Sequence, residues 1–329
     1  MKKELNNILY INTGGGLGDA LNSLTTINHI NTNFLVKKIY YFSTDLQNFW
    51  YENKLKEFKP KNLITIKNFP IHFGFERKHL KLSKNLINLF EFNKFDLILD
   101  NQTRILNTLI YKKIPHDYFI SPCLNFLLSK PFYFTKKNKN IDTRLINYIN
   151  KIIKKDIKPN YHIEIPKDFL NIAQQLMPKD KKYVGFSITA GHPSRKKEFE
   201  IDEIIKVANH YGKKFVPTFF MENKYSDMKK ILKKKINNIY FPEETLNDQY
   251  KKPMIVTALG KLTEFNISID NGISHMLFFS NNKNYIFYNE NSQKFKPITE
   301  STFIYDCKLN NKEINALRAE EIIDFINQN

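Results

Sequence analysis

Apolar runs and polar breaks alternate along the chain in an order that predicts strand, loop and helix in turn. Ile8-Leu9-Tyr10-Ile11 is a short continuous apolar run, the pattern of a strand buried on both faces. It leads into Thr13-Gly14-Gly15-Gly16-Leu17-Gly18-Asp19, and then into a segment, 20–30, with Leu21, Leu24, Ile27 and Asn28 at helical spacing. Glycines at 14, 15, 16 and 18 let the backbone turn sharply and come close to a ligand. A loop of this kind also leaves amide N–H groups at the helix N-terminus, where anions bind.

The same alternation continues. Residues 37–42, 62–66 and 95–100 predict strands, and 78–92 predicts a helix with Leu80, Leu82, Leu86, Ile87 and Leu89 facing inward. Asn101-Gln102-Thr103-Arg104 separates the strand ending at Asp100 from a helix running to about Tyr111, and 141–154 predicts a further helix. The extended, proline-bounded passage 155–166 marks a domain boundary, dividing 1–160 from 161–329. Beyond it the pattern restarts, with strands at 183–187, 214–219, 238–241, 266–269 and 285–288 and helices from about Lys167 and over 200–211. Alternating strands and helices in both halves imply an α/β chain of two parallel-sheet domains, with the site expected in the cleft between them.

Composition narrows the function classes. At 329 residues and 42% hydrophobic, the chain has ample material for two cores. Its formal net charge of +18 arises from 51 Lys and Arg against 33 Asp and Glu, which raises nucleic acid, anionic lipid or a phosphorylated substrate as partners. The excess is mostly lysine spread through an Asn- and Ile-rich chain. No aromatic-interleaved arginine cluster supports nucleic acid, so a basic face against anionic membrane lipid is preferred. Cys123 and Cys307 are the two cysteines, far apart, and are expected to be free thiols in a reducing compartment. No apolar run suits a signal peptide or a membrane span, so a cytoplasmic location with peripheral membrane contact is expected.

The glycine loop is not a standard phosphate loop. A Walker A loop needs Gly-Lys followed by Ser or Thr, but Gly18 precedes Asp19 and Ala20. A dinucleotide fingerprint counted from Gly14 and Gly16 needs glycine where Asp19 stands, and a carboxylate there repels a diphosphate. Asp19 therefore suits proton handling, against the plainer alternative of an acid favouring a helix N-terminus. Asp45, at the end of the second strand, is where a dinucleotide fold holds a ribose, but the failed glycine spacing argues against a dehydrogenase. Asp100, Asn101 and Arg104 lie past a strand end and are candidate acceptor contacts, or simply a helix cap and a surface cation.

Three stretches of the second half could hold a phosphorylated donor. In Asp270-Asn271-Gly272-Ile273-Ser274-His275 a strand ends in acid, glycine permits a turn, and a helix begins; the competing role for His275 is packing. The loop Thr189-Ala190-Gly191-His192-Pro193-Ser194-Arg195-Lys196-Lys197-Glu198-Phe199 supplies hydroxyls and three consecutive cations ahead of a helix. Glu222, after the strand at 214–219, could hold ribose hydroxyls.

Taken in order, these motifs resemble the bacterial heptosyltransferases, glycosyltransferase family 9. The resemblance extends over nearly the whole chain, including a closing helix at Ala319-Glu320-Glu321-Ile322-Ile323. It implies a GT-B fold, two Rossmann-like domains facing across a cleft, with the final helix able to pack back toward the first. It further implies metal-independent, inverting transfer of heptose from ADP-heptose to lipopolysaccharide core at the cytoplasmic face of the inner membrane, with no cofactor and no nucleic acid. Gly18-Asp19 matches the family's Gly-Asp pair, which makes Asp19 the base on the acceptor hydroxyl, with Gly16 and Gly18 beside the acceptor. Lys197 becomes the phosphate ligand with Lys196 as its substitute, and Ser194, Thr189, Glu222, Asp270, Asn271, Gly272 and His275 complete the donor side. Thr25 stands where the family has proline, and the turns at 221–223 and 289–291 lack its glycines, which leaves open another donor sugar, a nucleotide-sugar epimerase, or a non-catalytic binding protein.

Overall fold

The computed structural model describes residues 3–14, 16–43, 49–50, 54–66, 77–135, 139–190, 197–290 and 292–329. The chain divides into two compact units, Met1–Asn160 and Tyr161–Asn329.

The first unit runs β1 (Glu4–Ile11), α1 (Leu17–Asn33), β2 (Leu35–Phe42), β3 (Leu63–Thr65), α2 (Arg77–Asn85), β4 (Phe95–Asp100), α3 (Ile105–Tyr111), β5 (His116–Ile120) and α4 (Ile141–Ile153). Its five strands are all parallel in the order β3-β2-β1-β4-β5, so the chain winds outward in both directions from β1 and β4. The apolar runs form the central strands because both of their faces are covered: Leu9, Ile11, Phe95 and Ile98 are each fully buried. Helix α1 buries Leu21, Leu24, Ile27 and Ile30 together with the polar Asn22, Ser23, Thr25, Thr26 and His29.

The second unit runs α5 (Lys167–Leu176), β6 (Tyr183–Ser187), α6 (Ile201–Tyr211), β7 (Val216–Phe219), α7 (Ser226–Lys235), α8 (Pro242–Thr245), α9 (Pro253–Gly260), β8 (Phe265–Ile269), α10 (Gly272–Phe278), β9 (Asn284–Tyr288), α11 (Ser292–Phe295), β10 (Thr302–Asp306) and α12 (Ala319–Asn327). Its parallel strands lie in the order β10-β9-β8-β6-β7, with the direction of winding reversing between β8 and β6. Val184, Phe186, Ile267, Ile269 and Phe287 from the strands pack with Ile204 and Val207 of α6.

Several expectations are corrected. Residues 238–241 are not a strand: Asn238 has φ of 57°, and Tyr240 alone bridges to Thr218 before Pro242 opens α8. The helix expected over 78–92 stops at Asn85 and tightens into a 3₁₀ turn, Leu86–Leu89, which turns Leu89 out to 65% exposure and leaves His79 and Ser83 buried. Leu82's side chain lies outside the described residues. Within the second unit, Ile322 and Ile326 of α12 pack in the core, and Glu203 of α6 accepts the Ala319 N–H at 2.7 Å. Strands β5 and β10, which were not expected, complete the two sheets.

Candidate functional site

In an open parallel sheet the connections at a reversal of winding diverge to opposite faces, leaving a crevice at the strands' carboxyl ends. In the first unit that point lies between β1 and β4, whose register pairs Ile11 with Asp100. In the second it lies between β6 and β8, whose register pairs Ser187 with Ser268. The Asp19 loop and Asn101 through Arg104 follow the first pair of strands; Thr189 through Lys197 and Asp270 through His275 follow the second.

At the first point, Asn12 is the organising side chain. Its Nδ2 donates to the Tyr41 hydroxyl at 2.9 Å and to the Asp19 carbonyl at 3.3 Å, while its Oδ1 accepts from Gln102 Nε2 at 3.3 Å. The carboxyl end of β1, the start of α1 and the loop after β4 are thereby joined. Asp19 occupies the first turn of α1, and its Oδ2 accepts the Gly16 N–H at 2.8 Å, one arm of a capping arrangement. Both the helix-terminus role and a half-exposed carboxylate are therefore present at Asp19. Gly16 and Gly18 open α1, and a Cβ added at Gly16 meets nothing within 4 Å.

Asp100 is fully buried and accepts hydrogen bonds from Thr108 Oγ1 at 2.7 Å, Ser121 Oγ at 2.9 Å and the Gln102 N–H at 2.9 Å. Loss of solvation outweighs these donors and pushes its carboxyl up to about 6. Asn101 is half-buried, with its N–H on the Ile11 carbonyl at 2.9 Å, whereas Arg104 is the exposed N-cap of α3.

At the second point, Lys197 Nζ pairs with Asp270 Oδ2 at 2.8 Å, and the two side chains are only 20% and 11% exposed. Asn271 caps α10: its Oδ1 accepts the Ser274 N–H at 2.8 Å, and its Nδ2 donates to Ser187 Oγ at 2.8 Å and to the Thr189 carbonyl at 3.0 Å. Glu198 Oε1 accepts the Ala190 N–H at 2.6 Å, and the Tyr225 hydroxyl donates to the Ala190 carbonyl at 2.7 Å. Two carboxyl-end loops and the start of α10 are thus locked together, with a partly buried ammonium among them.

The remaining expected residues divide. Thr189 and Gly272 lie at this turn, Thr189 buried and Gly272 half-buried. His275 is inside α10, 6% exposed and edge-on to Phe278 at 5.1 Å, so packing is part of its role. Glu222 follows β7 and pairs with Lys224 at 2.7 Å with 66% of its side chain exposed. Ser194 and Lys196, like Asp45, lie outside the described residues. No role was expected for Asn12, Gln102, Ser121 or Glu198. Asn12 was detectable as the polar residue ending an apolar run, whereas Ser121 follows a strand that was not expected. Among the described residues no three His, Cys, Asp or Glu side chains group as a metal site would require.

No family model and no curated protein matches the chain by sequence. Solved structures do. A glycosyl transferase of family 9 from Veillonella parvula is similar at a TM-score of 0.73 and 15% identity, over 100% of this chain and 98% of that one. The E. coli heptosyltransferase WaaC, solved with ADP-2-deoxy-2-fluoro heptose, is similar at 0.65 and 14% identity, over 98% and 99%. The UDP-GlcNAc 2-epimerase of Methanocaldococcus jannaschii follows at 0.55 and 11% identity, over 98% and 92%. The chain has the fold of these proteins, the two Rossmann-like units of GT-B enzymes.

Proposed function

We propose that the protein is an inverting glycosyltransferase that moves a sugar, heptose in the preferred assignment, from a nucleotide diphosphate to a hydroxyl of lipopolysaccharide core or a related surface glycan. The observation that carries this is the partly buried Lys197–Asp270 pair beside the capped start of α10, at the carboxyl ends of β6 and β8. A cation held there suits the diphosphate of a donor such as ADP-heptose. The fold shared with WaaC, solved with an ADP-sugar analogue, supports the same assignment.

The chemistry is a single displacement. The acceptor oxygen attacks the anomeric carbon, its proton passes to Asp19, and the bond from that carbon to the diphosphate oxygen breaks on the opposite face, which inverts the centre. Negative charge developing on the leaving diphosphate is met by Lys197 and by the N–H groups opening α10. Asp19, Gly16, Gly18, Asn101 and Arg104 are assigned to the acceptor; Thr189, Ser194, Lys196, Lys197, Glu222, Asp270, Asn271, Gly272 and His275 are assigned to the donor. No cofactor or metal enters this scheme, and the +18 charge suits an acceptor carried in anionic lipid.

The test is a panel of nucleotide sugars, with nucleotide release measured with and without core-glycan acceptors. Acceptor-dependent release from one donor supports transfer. Release or rearrangement without acceptor favours the second possibility, a nucleotide-sugar epimerase, which the fold shared with the M. jannaschii enzyme motivates. Binding without turnover would leave a transferase-like binding protein.

A further inference from the structure

Between β5 and α4 the chain displays large apolar side chains that the proposed chemistry does not use. Leu124, Leu127, Phe132 and Phe134 are 53%, 59%, 51% and 81% exposed, and Ile105 and Leu106 in the first turn of α3 are 42% and 48% exposed. Single exposed apolar residues are ordinary, but a run of them on one segment marks an interaction site.

The segment is built to hold these groups outward. Leu124, Asn125 and Phe126 have φ of 48°, 54° and 69°, three successive non-glycine residues in the left-handed region, which is costly for bulky side chains. The surroundings enforce the turn. Phe126 is buried and stacks on Tyr148 of α4 at 4.4 Å, and Asn125 Nδ2 donates to the Thr135 carbonyl at 2.9 Å. The Tyr148 hydroxyl donates to the Pro131 carbonyl at 2.7 Å and accepts the Tyr133 N–H at 2.8 Å, and Lys151 Nζ holds the Phe134 carbonyl. The polar atoms of the segment are thus turned in toward α4 while Leu124, Leu127, Phe132 and Phe134 are left to solvent.

Charge identifies the occupant. Residues 121–140 contain four lysines and no acid. Lys130 and Lys139 are exposed, and Lys136 and Lys137 lie outside the described residues. Aromatic and leucine side chains interleaved with lysines match an anionic lipid surface, with the rings entering the headgroup boundary and the ammonium groups meeting phosphates.

We infer that the exposed apolar side chains between Leu124 and Phe134, together with the exposed Lys130 and Lys139, form a peripheral membrane anchor that docks the first unit on a bilayer carrying anionic headgroups. Ser121, at the base of the segment, donates to Asp100, so the anchor leaves the sheet at the carboxyl ends of its strands, as the Asp19 loop does. The inference does not depend on the sugar-transfer chemistry.

Sedimentation of the whole protein with vesicles tests it, comparing phosphatidylcholine alone with phosphatidylcholine containing one quarter phosphatidylglycerol. The wild-type protein is expected to bind the anionic vesicles, to bind neutral ones at least about tenfold more weakly, and to be released as salt rises. The Phe132→Ser/Phe134→Ser variant, altered only at exposed side chains, is expected to keep its thermal midpoint and to lose at least about tenfold in vesicle partitioning. Lys130→Gln/Lys139→Gln is expected to weaken binding to the anionic vesicles alone. Absence of wild-type binding at low salt, or undiminished binding by the folded aromatic variant, overturns the inference. So does a wild-type dimer that the aromatic variant converts to monomer without any vesicle binding, which would make the segment a protein interface.

Discussion

The Lys197–Asp270 pair gives the most discriminating test of the proposed donor site, because a structural role and the proposed ligand-binding role can be separated. At 2.8 Å the gross attraction of the two charges is about 6 kcal/mol at an effective dielectric of about 20, most of it offset by lost solvation. Lys197→Gln leaves a carboxylate that is 11% exposed without its cation, and a loss of about 1–3 kcal/mol in unfolding free energy is expected. Removing the second charge as well, in Lys197→Gln/Asp270→Asn, relieves that penalty and is expected to restore stability to within about 1 kcal/mol of wild type. Donor binding should behave differently. A charge-assisted contact to phosphate contributes about 1.5–3 kcal/mol, so loss of Lys197 is expected to weaken ADP binding about 10- to 100-fold.

The assay is urea unfolding in parallel with calorimetric titration of ADP, on wild type, both single variants and the double variant. Comparing the double variant with Asp270→Asn alone isolates Lys197 from any repulsion between Asp270 and the diphosphate. The expected pattern is recovered stability with ADP affinity still at least about tenfold below that of Asp270→Asn. Should affinity return along with stability, Lys197 acts on the ligand only through the fold, and its assignment as a phosphate contact fails.

Asp19→Ala is expected to lower acceptor-dependent turnover about 10²- to 10⁴-fold while costing about 1 kcal/mol through the lost contact with the Gly16 N–H; a folded variant turning over at the wild-type rate removes Asp19 as base. Asp100 binds its proton more tightly folded than unfolded, about 6 against an ordinary 3.8, so its contribution to stability is present below pH 4 and lost as pH rises through 6. The span is about 3 kcal/mol, and unfolding curves of wild type and Asp100→Asn between pH 4 and 7 should differ by that slope. Gly16→Ala, whose new Cβ meets open space within 4 Å, is expected to leave the thermal midpoint nearly unchanged and to raise the acceptor KM; an unchanged KM argues against an acceptor approaching Gly16.

The sequence disclosed the central strands more readily than the edges, for a physical reason. Strands β1, β4 and β6 are covered on both faces and read as mostly apolar runs, whereas β5 begins with His116-Asp117 and β10 ends with Asp306 at sheet edges that tolerate charge. The position of Asp19 at a helix start was legible because glycine loop and helix adjoin in sequence. Its joining through Asn12 to Gln102 was not, since those residues lie 90 positions apart. Lys197 and Asp270, 73 apart, could be brought together only by the ordered set of motifs, and their ion pair follows from two strands becoming neighbours.

A reversal of winding between neighbouring strands puts Asp19 in the first unit and Lys197 in the second each at the carboxyl end of its own sheet, where an open parallel sheet takes a ligand. Asp19 lies in the first turn of the helix that follows one such strand and Lys197 in the loop that follows another, and each connection is braced by an asparagine: Asn12 in the first unit, Asn271 in the second. An amide both donates and accepts, so it can tie two backbone segments without adding charge. Asp19 and the Lys197–Asp270 pair are among the charged groups at the two points. Asp19 has Oδ2 held by a backbone N–H, and among the described residues its other carboxylate oxygen accepts no hydrogen bond. A carboxylate oriented through one oxygen and open at the other is what proton removal from an acceptor hydroxyl requires, and for that reason the helix-cap contact at Gly16 supports the base assignment as a positioning contact.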